Sequence, residues 1–168
     1  MKKYEFTGEV KRIKLIGTEV VLRRIRAVTA FGVVEAGDIG GWIEKEENLS
    51  HDGSAWVHSS AWVYGDARVY GDARVCGNAE VCGDAEVYSA NHIFSIGPVG
   101  SRDGHTTFYR NKNKKIEVRC GCFNGRIEEF IEKVAETHGK NKHASVYRAA
   151  AEIAKLQIEP LSTDKEAE

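Results

Sequence analysis

The chain has 168 residues and a mass of 18.6 kDa, enough for one or two modest cores but not for a large multidomain assembly. Its 24 Lys and Arg against 25 Asp and Glu give a net charge of -1, which excludes a globally basic nucleic-acid coat and an acidic solvating tail protein. Seventeen glycines beside two prolines fit neither a collagen period nor a proline-rich linker and point to repeated turns between short strands.

From the start, Met1 to Phe6 leads into no apolar signal core, and no stretch approaches the roughly 20 apolar residues of a membrane span. The expected location is therefore a cytoplasm, with no membrane partner. Residues 1–36 read as a β-hairpin cap. Tyr4-Glu5-Phe6, Ile13-Lys14-Leu15 and the run from Leu22 to Val28 alternate around Gly17. Arg23, Arg24 and Arg26 fall on the expected solvated face of that strand.

Residues 37–94 contain an internal repeat. Ala55-Trp56-Val57, Ala61-Trp62-Val63, Ala67-Arg68-Val69, Ala73-Arg74-Val75, Ala79-Glu80-Val81 and Ala85-Glu86-Val87 recur with a period of six. Between them stand Gly65-Asp66, Gly71-Asp72, Gly77-Asn78 and Gly83-Asp84, pairs suited to tight bends. Six residues of α-helix advance about 600°, so one helix face cannot stay apolar under this period. Hairpins of six residues would leave strands too short to hold a ladder. Three hexads wound as one coil let each strand pair in parallel with the strand eighteen residues later, and about three coils are expected. That register places Val57 on Val75 and Ile93, Val63 on Val81, Val69 on Val87, Arg68 over Glu86 and Tyr70 over Tyr88. The alanines are the small residues a narrow prism admits beside one aliphatic side chain per strand.

These hexads resemble the hexapeptide-repeat family, and the segment Gly37-Asp38-Ile39-Gly40-Gly41-Trp42-Ile43 with Asn48-Leu49-Ser50 is similar to uncharacterised bacterial and phage members often labelled as transferases. The resemblance implies a left-handed β-helix and assembly as a homotrimer or a multiple of it.

Residues 95–159 are expected to form an α+β domain of ββαα order. Its strands are Thr106-Thr107-Phe108-Tyr109 and Lys115 to Cys120, joined by the polar turn 110–114. Its first helix carries Ile127, Phe130, Ile131, Val134, Ala135 and His138 on one face and ends at Gly139. The second, about 143–158, presents Tyr147, Ala150, Ala151, Ala154 and Ile158. The tail from 160 to 168 has little apolar content and is expected to be mobile. The segment from Ile96 to Arg102, with Thr106-Thr107-Phe108 and Gly121 to Gly125, is similar to a terminal domain of phage-encoded hexapeptide proteins.

Cys76 and Cys82 are six apart and Cys120 and Cys122 two apart, which matches neither a zinc knuckle nor a secreted disulfide frame, so no metal and no cofactor is expected. Cys120-Gly121-Cys122 in an extended strand would point both sulfurs to one face. Acyl transfer on a hexapeptide solenoid implies a histidine base, and His51 and His58 are the candidates in the coils. His58 shares an outward lane with Tyr64, Tyr70, Cys76, Cys82 and Tyr88, and reads as an exposed lane residue. No loop interrupts Ala55 to Val87, unlike the longer solenoids of acyltransferases, so no catalytic residue is assigned.

The segment Gly97 to Thr107 combines backbone freedom, hydroxyls and a guanidinium. Glycines turn N–H groups toward an anion, Ser101 and Thr107 donate hydroxyl bonds, and Arg102 holds two oxygens at once. Residues 102–148 carry eleven Lys and Arg against six acids, so a surplus of five positive charges collects here. The candidate ligand site is Ser101, Arg102, His105, Thr106 and Thr107, with His138 and Tyr147 from the two helices. The expected function is a non-catalytic oligomeric binding protein, phage-encoded, that sequesters a small phosphorylated ligand such as a signalling nucleotide. The alternatives are a hexapeptide-repeat acyltransferase and a structural or protein-interaction scaffold in which Trp56 and Trp62 supply an aromatic surface. Nucleic acid ranks below these, because the basic region lacks interleaved aromatic platforms.

Overall fold

Alternation in the first 27 residues produces the expected hairpin. β1 (Tyr4–Leu15) and β2 (Thr18–Ala27) pair antiparallel and close around Gly17, whose φ of +80° suits glycine. Val20, Leu22, Ile25 and Ala27 point inward, and Arg23 and Arg26 stay in solvent as expected, whereas Arg24 is half-buried with its guanidinium 5.2 Å from the centre of the Trp42 ring. Lys11 from β1 lies over the rings of Trp42 and Trp62 at 4.6 and 4.9 Å, fastening the hairpin to the strands that carry those tryptophans. The computed structural model describes residues 1–158, so the expected mobile tail at 160–168 lies outside the described residues.

β3 (Ile39–Ile43) joins two regimes, pairing antiparallel with β2 and parallel with β5 (Trp62–Val63), where Trp42 faces Trp62 and Ile43 faces Val63. Gly40 and Gly41 make this close approach possible. A Cβ on Gly41 would stand 2.6 Å from the Ala61 carbonyl oxygen.

The hexads form six two-residue strands: β4 (Trp56–Val57), β5, β6 (Arg68–Val69), β7 (Arg74–Val75), β8 (Glu80–Val81) and β9 (Glu86–Val87). β4 pairs with β7, β5 with β8 and β6 with β9, all in parallel and all with partners eighteen residues apart. The Trp56 N–H donates to the Ala73 carbonyl at 3.0 Å, that of Trp62 to Ala79 at 2.9 Å and that of Arg68 to Ala85 at 2.8 Å, so each ladder is closed by backbone bonds. The six valines and six alanines of the repeat are all essentially without solvent exposure. Tyr70 stacks on Tyr88 with ring centroids 5.7 Å apart. Below the hexads, Leu49 bridges Val69, and the buried Asn48 amide donates to the carbonyls of Gly65 and Ala67 at 3.1 and 2.8 Å.

Two details of the repeat differ from expectation. Ile93 does not continue the Val57–Val75 column; it opens β10 (Ile93–Val99) opposite Tyr109. The lane through His58 is not uniformly exposed either, since Tyr64 and Cys82 are buried. A six-residue period fixes which positions recur, but the packing of each lane position depends on the neighbouring strands. Trp56 is buried edge-on against Tyr4 and Phe31 of the N-terminal segment, and so offers no contact surface.

A second compact unit begins at Asn91. It is a four-stranded antiparallel sheet of β10, β11 (Gly104–Arg110), β12 (Ile116–Cys120) and β13 (Phe123–Arg126), in that order, with α1 (Ile127–His138) and α2 (Lys142–Gln157) after it. The order is therefore ββββαα rather than ββαα. Gly97-Pro98 reads as a chain break, yet β10 is an edge strand, where a residue without an N–H costs no ladder bond, and its register slips between Ile96 and Val99 to absorb it. α1 starts where the Glu129 carboxylate accepts from the Arg126 N–H at 3.1 Å and ends at Gly139. Asn141 caps α2 by accepting from the Ala144 N–H at 3.0 Å. Phe108, Val118, Ile127, Phe130, Val134, Ala150, Ala151, Ala154 and Ile158 form the core between sheet and helices. The protein is thus mainly β, with several sheets and two C-terminal helices, and no described helix is long and apolar enough to cross a membrane.

Candidate functional site

One end of the second unit opens into a cavity of about 440 Å3. Four pieces of chain build it, each for a local reason. The β10–β11 turn brings Val99, Ser101, Arg102, Gly104 and His105. The β12–β13 turn brings Cys120, Gly121, Cys122 and Phe123. Phe130, Lys133, Val134, Thr137 and His138 lie three or four residues apart and so share one face of α1. α2 adds Tyr147.

The lining sorts by chemistry. Val99, Phe123, Phe130, Val134 and Tyr147 make an apolar, largely aromatic wall, with Phe130 edge-on to Tyr147 at 5.6 Å and tilted against Phe123 at 5.5 Å. Arg102 and Lys133 are its cations, His105 and His138 its imidazoles, Ser101 and Thr137 its hydroxyls, and among the described residues no carboxylate belongs to the lining. Lys133 also pairs with Glu136 on the exposed side of α1 at 3.1 Å, a contact worth little in solvent. The field inside such a cavity favours anions, and the wall beside it favours a flat apolar group.

Five of the seven expected site residues, Ser101, Arg102, His105, His138 and Tyr147, line this single cavity. Thr106 and Thr107 do not. Both are buried, and Thr106 donates its hydroxyl to Cys120 Sγ at 3.1 Å inside the sheet. They sit within the paired stretch of β11, opposite Cys120 and Arg119, whereas Ser101 and Arg102 fall in the turn. Lys133, Thr137, Phe123 and the two cysteines are neighbours of this site that the sequence did not reveal. The spacing Phe130, Lys133, Val134, Thr137, His138 carried that signal for the helix. Cys120 and Cys122 do not share a strand face, because β12 ends at Cys120 and the chain reverses through Gly121-Cys122 to put Phe123 opposite Cys120. All four cysteines are free, and no group of three or more metal-ligating side chains occurs among the described residues.

Tyr147 is the most constrained member. Its ring is nine-tenths buried, 5.7 Å from the His138 ring, and its hydroxyl accepts from Cys120 Sγ at 3.9 Å. Burial, with the neighbouring Cys120, pushes its phenol up to about 12, so it remains protonated at neutral pH. A Cβ on Gly100 would overlap that hydroxyl, and Gly100 has a φ of +79°, so the turn carrying Ser101 and Arg102 rests directly on Tyr147.

The first unit has a wider groove of about 630 Å3, lined by Glu46, Glu47, Leu49, Ser50, His51, Arg68, Val69, Tyr70 and Glu86. Three carboxylates against Arg68 make it a poor anion site. His51 stacks on Tyr4 at 4.2 Å and accepts from the Lys3 N–H at Nδ1 (3.3 Å), while its Nε2 is buried without a partner among the described residues. His58 likewise has a buried, unpartnered Nε2. Burial lowers the pKa of both, and with Nε2 bonded to no hydroxyl or thiol neither histidine forms a base–nucleophile pair through that nitrogen.

No family model matches the chain. It is similar to the uncharacterized acetyltransferase YdcK of Escherichia coli (strain K12), with 37% identity over 62 residues and 34% of this chain covered. The chain spans 19% of the length of that relative.

Proposed function

We propose that the protein is a non-catalytic binding protein whose C-terminal unit holds a small phosphorylated ligand, a nucleotide being the class that fits, and whose hexads hold the subunits of an oligomer together. The observation that carries this is the cavity at the β10–β11 turn. It sets Arg102, Lys133, His105 and His138 beside an aromatic wall of Phe123, Phe130 and Tyr147, with no carboxylate from the described residues in the lining. An anionic group is attracted to one side and a ring is desolvated on the other, the two requirements of a phosphorylated ring compound. The parallel offset of eighteen residues supports closure of the hexads into a short left-handed β-helix, and trimeric assembly of such a unit would present three cavities. In a phage setting, sequestration of a host signalling nucleotide is one use of a symmetric, unreactive trap.

Equilibrium dialysis against nucleotides tests it. Bound ligand returns chemically unchanged after denaturation, and Arg102→Ala weakens binding about tenfold or more, as expected for loss of a charged hydrogen-bonding partner. Ligand recovered as a different compound overturns the non-catalytic assignment. A second reading, acyl transfer, is favoured by the likeness to YdcK. Acetyl-CoA with candidate amine and hydroxyl acceptors, and His58→Ala and His51→Ala as controls, distinguishes it: histidine-dependent acetyl transfer would replace the binding assignment.

A further inference from the structure

Tyr147 stands where the two halves of the cavity meet. Its ring belongs to the aromatic wall, in edge contact with Phe130, and its hydroxyl touches the backbone of Gly100 under the turn that carries Ser101 and Arg102. Among the described residues the hydroxyl's hydrogen-bond contact is with Cys120 Sγ at 3.9 Å, a weak partner. A hydroxyl that lines a cavity with only a sulfur as its partner keeps hydrogen-bonding capacity for a stronger acceptor. The same tyrosine therefore faces a flat apolar group with its ring and an oxygen acceptor with its hydroxyl.

The size of the cavity limits what can satisfy both. Ligand cavities commonly hold about 300–1,000 Å3, and 440 Å3 lies in the lower half of that range. There is one aromatic wall and one cationic turn, and they are adjacent. Resting on the assignment of the cavity to phosphorylated ligands, we infer that it selects a compound with one ring system and one phosphorylated arm, on the scale of a nucleoside mono- or diphosphate and not a dinucleotide, and that Tyr147 is the residue that reads ring and arm together. Its hydroxyl donates to a phosphoryl oxygen held by Arg102 and Ser101. Its ring, with Phe130 and Phe123, covers the base. Gly100 is the positioning residue that lets the turn come down on the hydroxyl, since any side chain there would occupy the same space.

Calorimetric titration of the full chain tests this with ribonucleoside monophosphates, the matching nucleosides, inorganic pyrophosphate and a cyclic dinucleotide. At least one monophosphate should bind about tenfold or more tighter than both its nucleoside and pyrophosphate, because a single site collects both halves. Tyr147→Phe should weaken that monophosphate about tenfold, the worth of a donor to a charged oxygen, and leave the nucleoside unchanged. Gly100→Ala, with its thermal melt recorded to confirm folding, should weaken the monophosphate and pyrophosphate together. A cyclic dinucleotide that binds more tightly than every mononucleotide, or a Tyr147→Phe protein equal to the parent, overturns this inference and leaves the anion site standing. Failure of every probe to bind overturns the anion site itself.

Discussion

Val63→Ala probes the ladder that organises the first unit. Val63 has no solvent exposure and lies between Ile43 and Val81 in successive parallel pairs. The substitution removes two buried methyl-sized groups, about 0.8 kcal/mol each by transfer. The space left behind cannot close, because the strands on either side are pinned by backbone bonds from Glu44 to Val63 at 3.1 Å and from Tyr64 to Val81 at 3.0 Å. An unrelaxed void adds to the transfer loss and brings the total to about 2 to 3 kcal/mol. All three tryptophans, Trp42, Trp56 and Trp62, lie in the first unit, so urea unfolding monitored by tryptophan emission reports on that unit. The midpoint should fall with little change in slope. Val10→Ala, at a position 56% exposed, should stay within about 0.5 kcal/mol. A Val63→Ala protein as stable as the Val10→Ala control would refute the aliphatic column.

Other substitutions test the same frame from different sides. Ala67→Leu forces a larger side chain into a site 1% exposed and should destabilise by about 1 to 3 kcal/mol in the same urea assay. Gly71→Ala should cost a comparable amount, about 1 to 3 kcal/mol, because Gly71 has a φ of +66° and a Cβ there would overlap the Tyr88 carbonyl; its thermal midpoint checks this. Lys3 is buried, donates to the Ala55 carbonyl at 2.8 Å, and burial lowers its pKa from 10.5 to about 8. Between about pH 8 and 10.5 the unfolded chain therefore keeps a proton that the folded chain has lost, so this residue makes stability rise with pH, fully by about 10.5 and not at all below about 8. Lys3→Met should flatten that slope in urea midpoints taken across the window, and an unchanged slope would show that Lys3 does not carry it. Tyr4, whose pKa burial raises, acts only above about 10, where the unfolded phenol ionises and the folded one does not; that effect has the opposite sign, lowering stability as pH rises, and sets the upper edge of the range.

What was legible in the sequence was what repeats. Strict recurrence of Ala-x-Val places the ladders without any knowledge of neighbours, and the 3.6-residue spacing of Ile127, Phe130 and Val134 places α1. That Ser101 and Arg102 fall in a flexible turn was legible because the glycines around them act locally. What escaped depends on contacts remote in sequence. β10 was hidden by Gly97-Pro98, a break anywhere except at a sheet edge. Thr106 and Thr107 looked available until the pairing of β11 with β12 buried them. Lys3, a residue that composition assigns to solvent, is held by carbonyls about fifty positions away. Lys133 and Thr137 lie on the edge of the amphipathic α1, and their nearness to Arg102 comes only from how α1 lies on the sheet.

Native mass spectrometry of the chain purified from cells tests the proposed binding function most directly, since it weighs subunits and retained small molecules at once. The predicted result is a complex of three chains or a multiple of three, carrying a phosphorylated compound that Arg102→Ala protein loses. A monomer free of small molecules that turns over acetyl-CoA would contradict it.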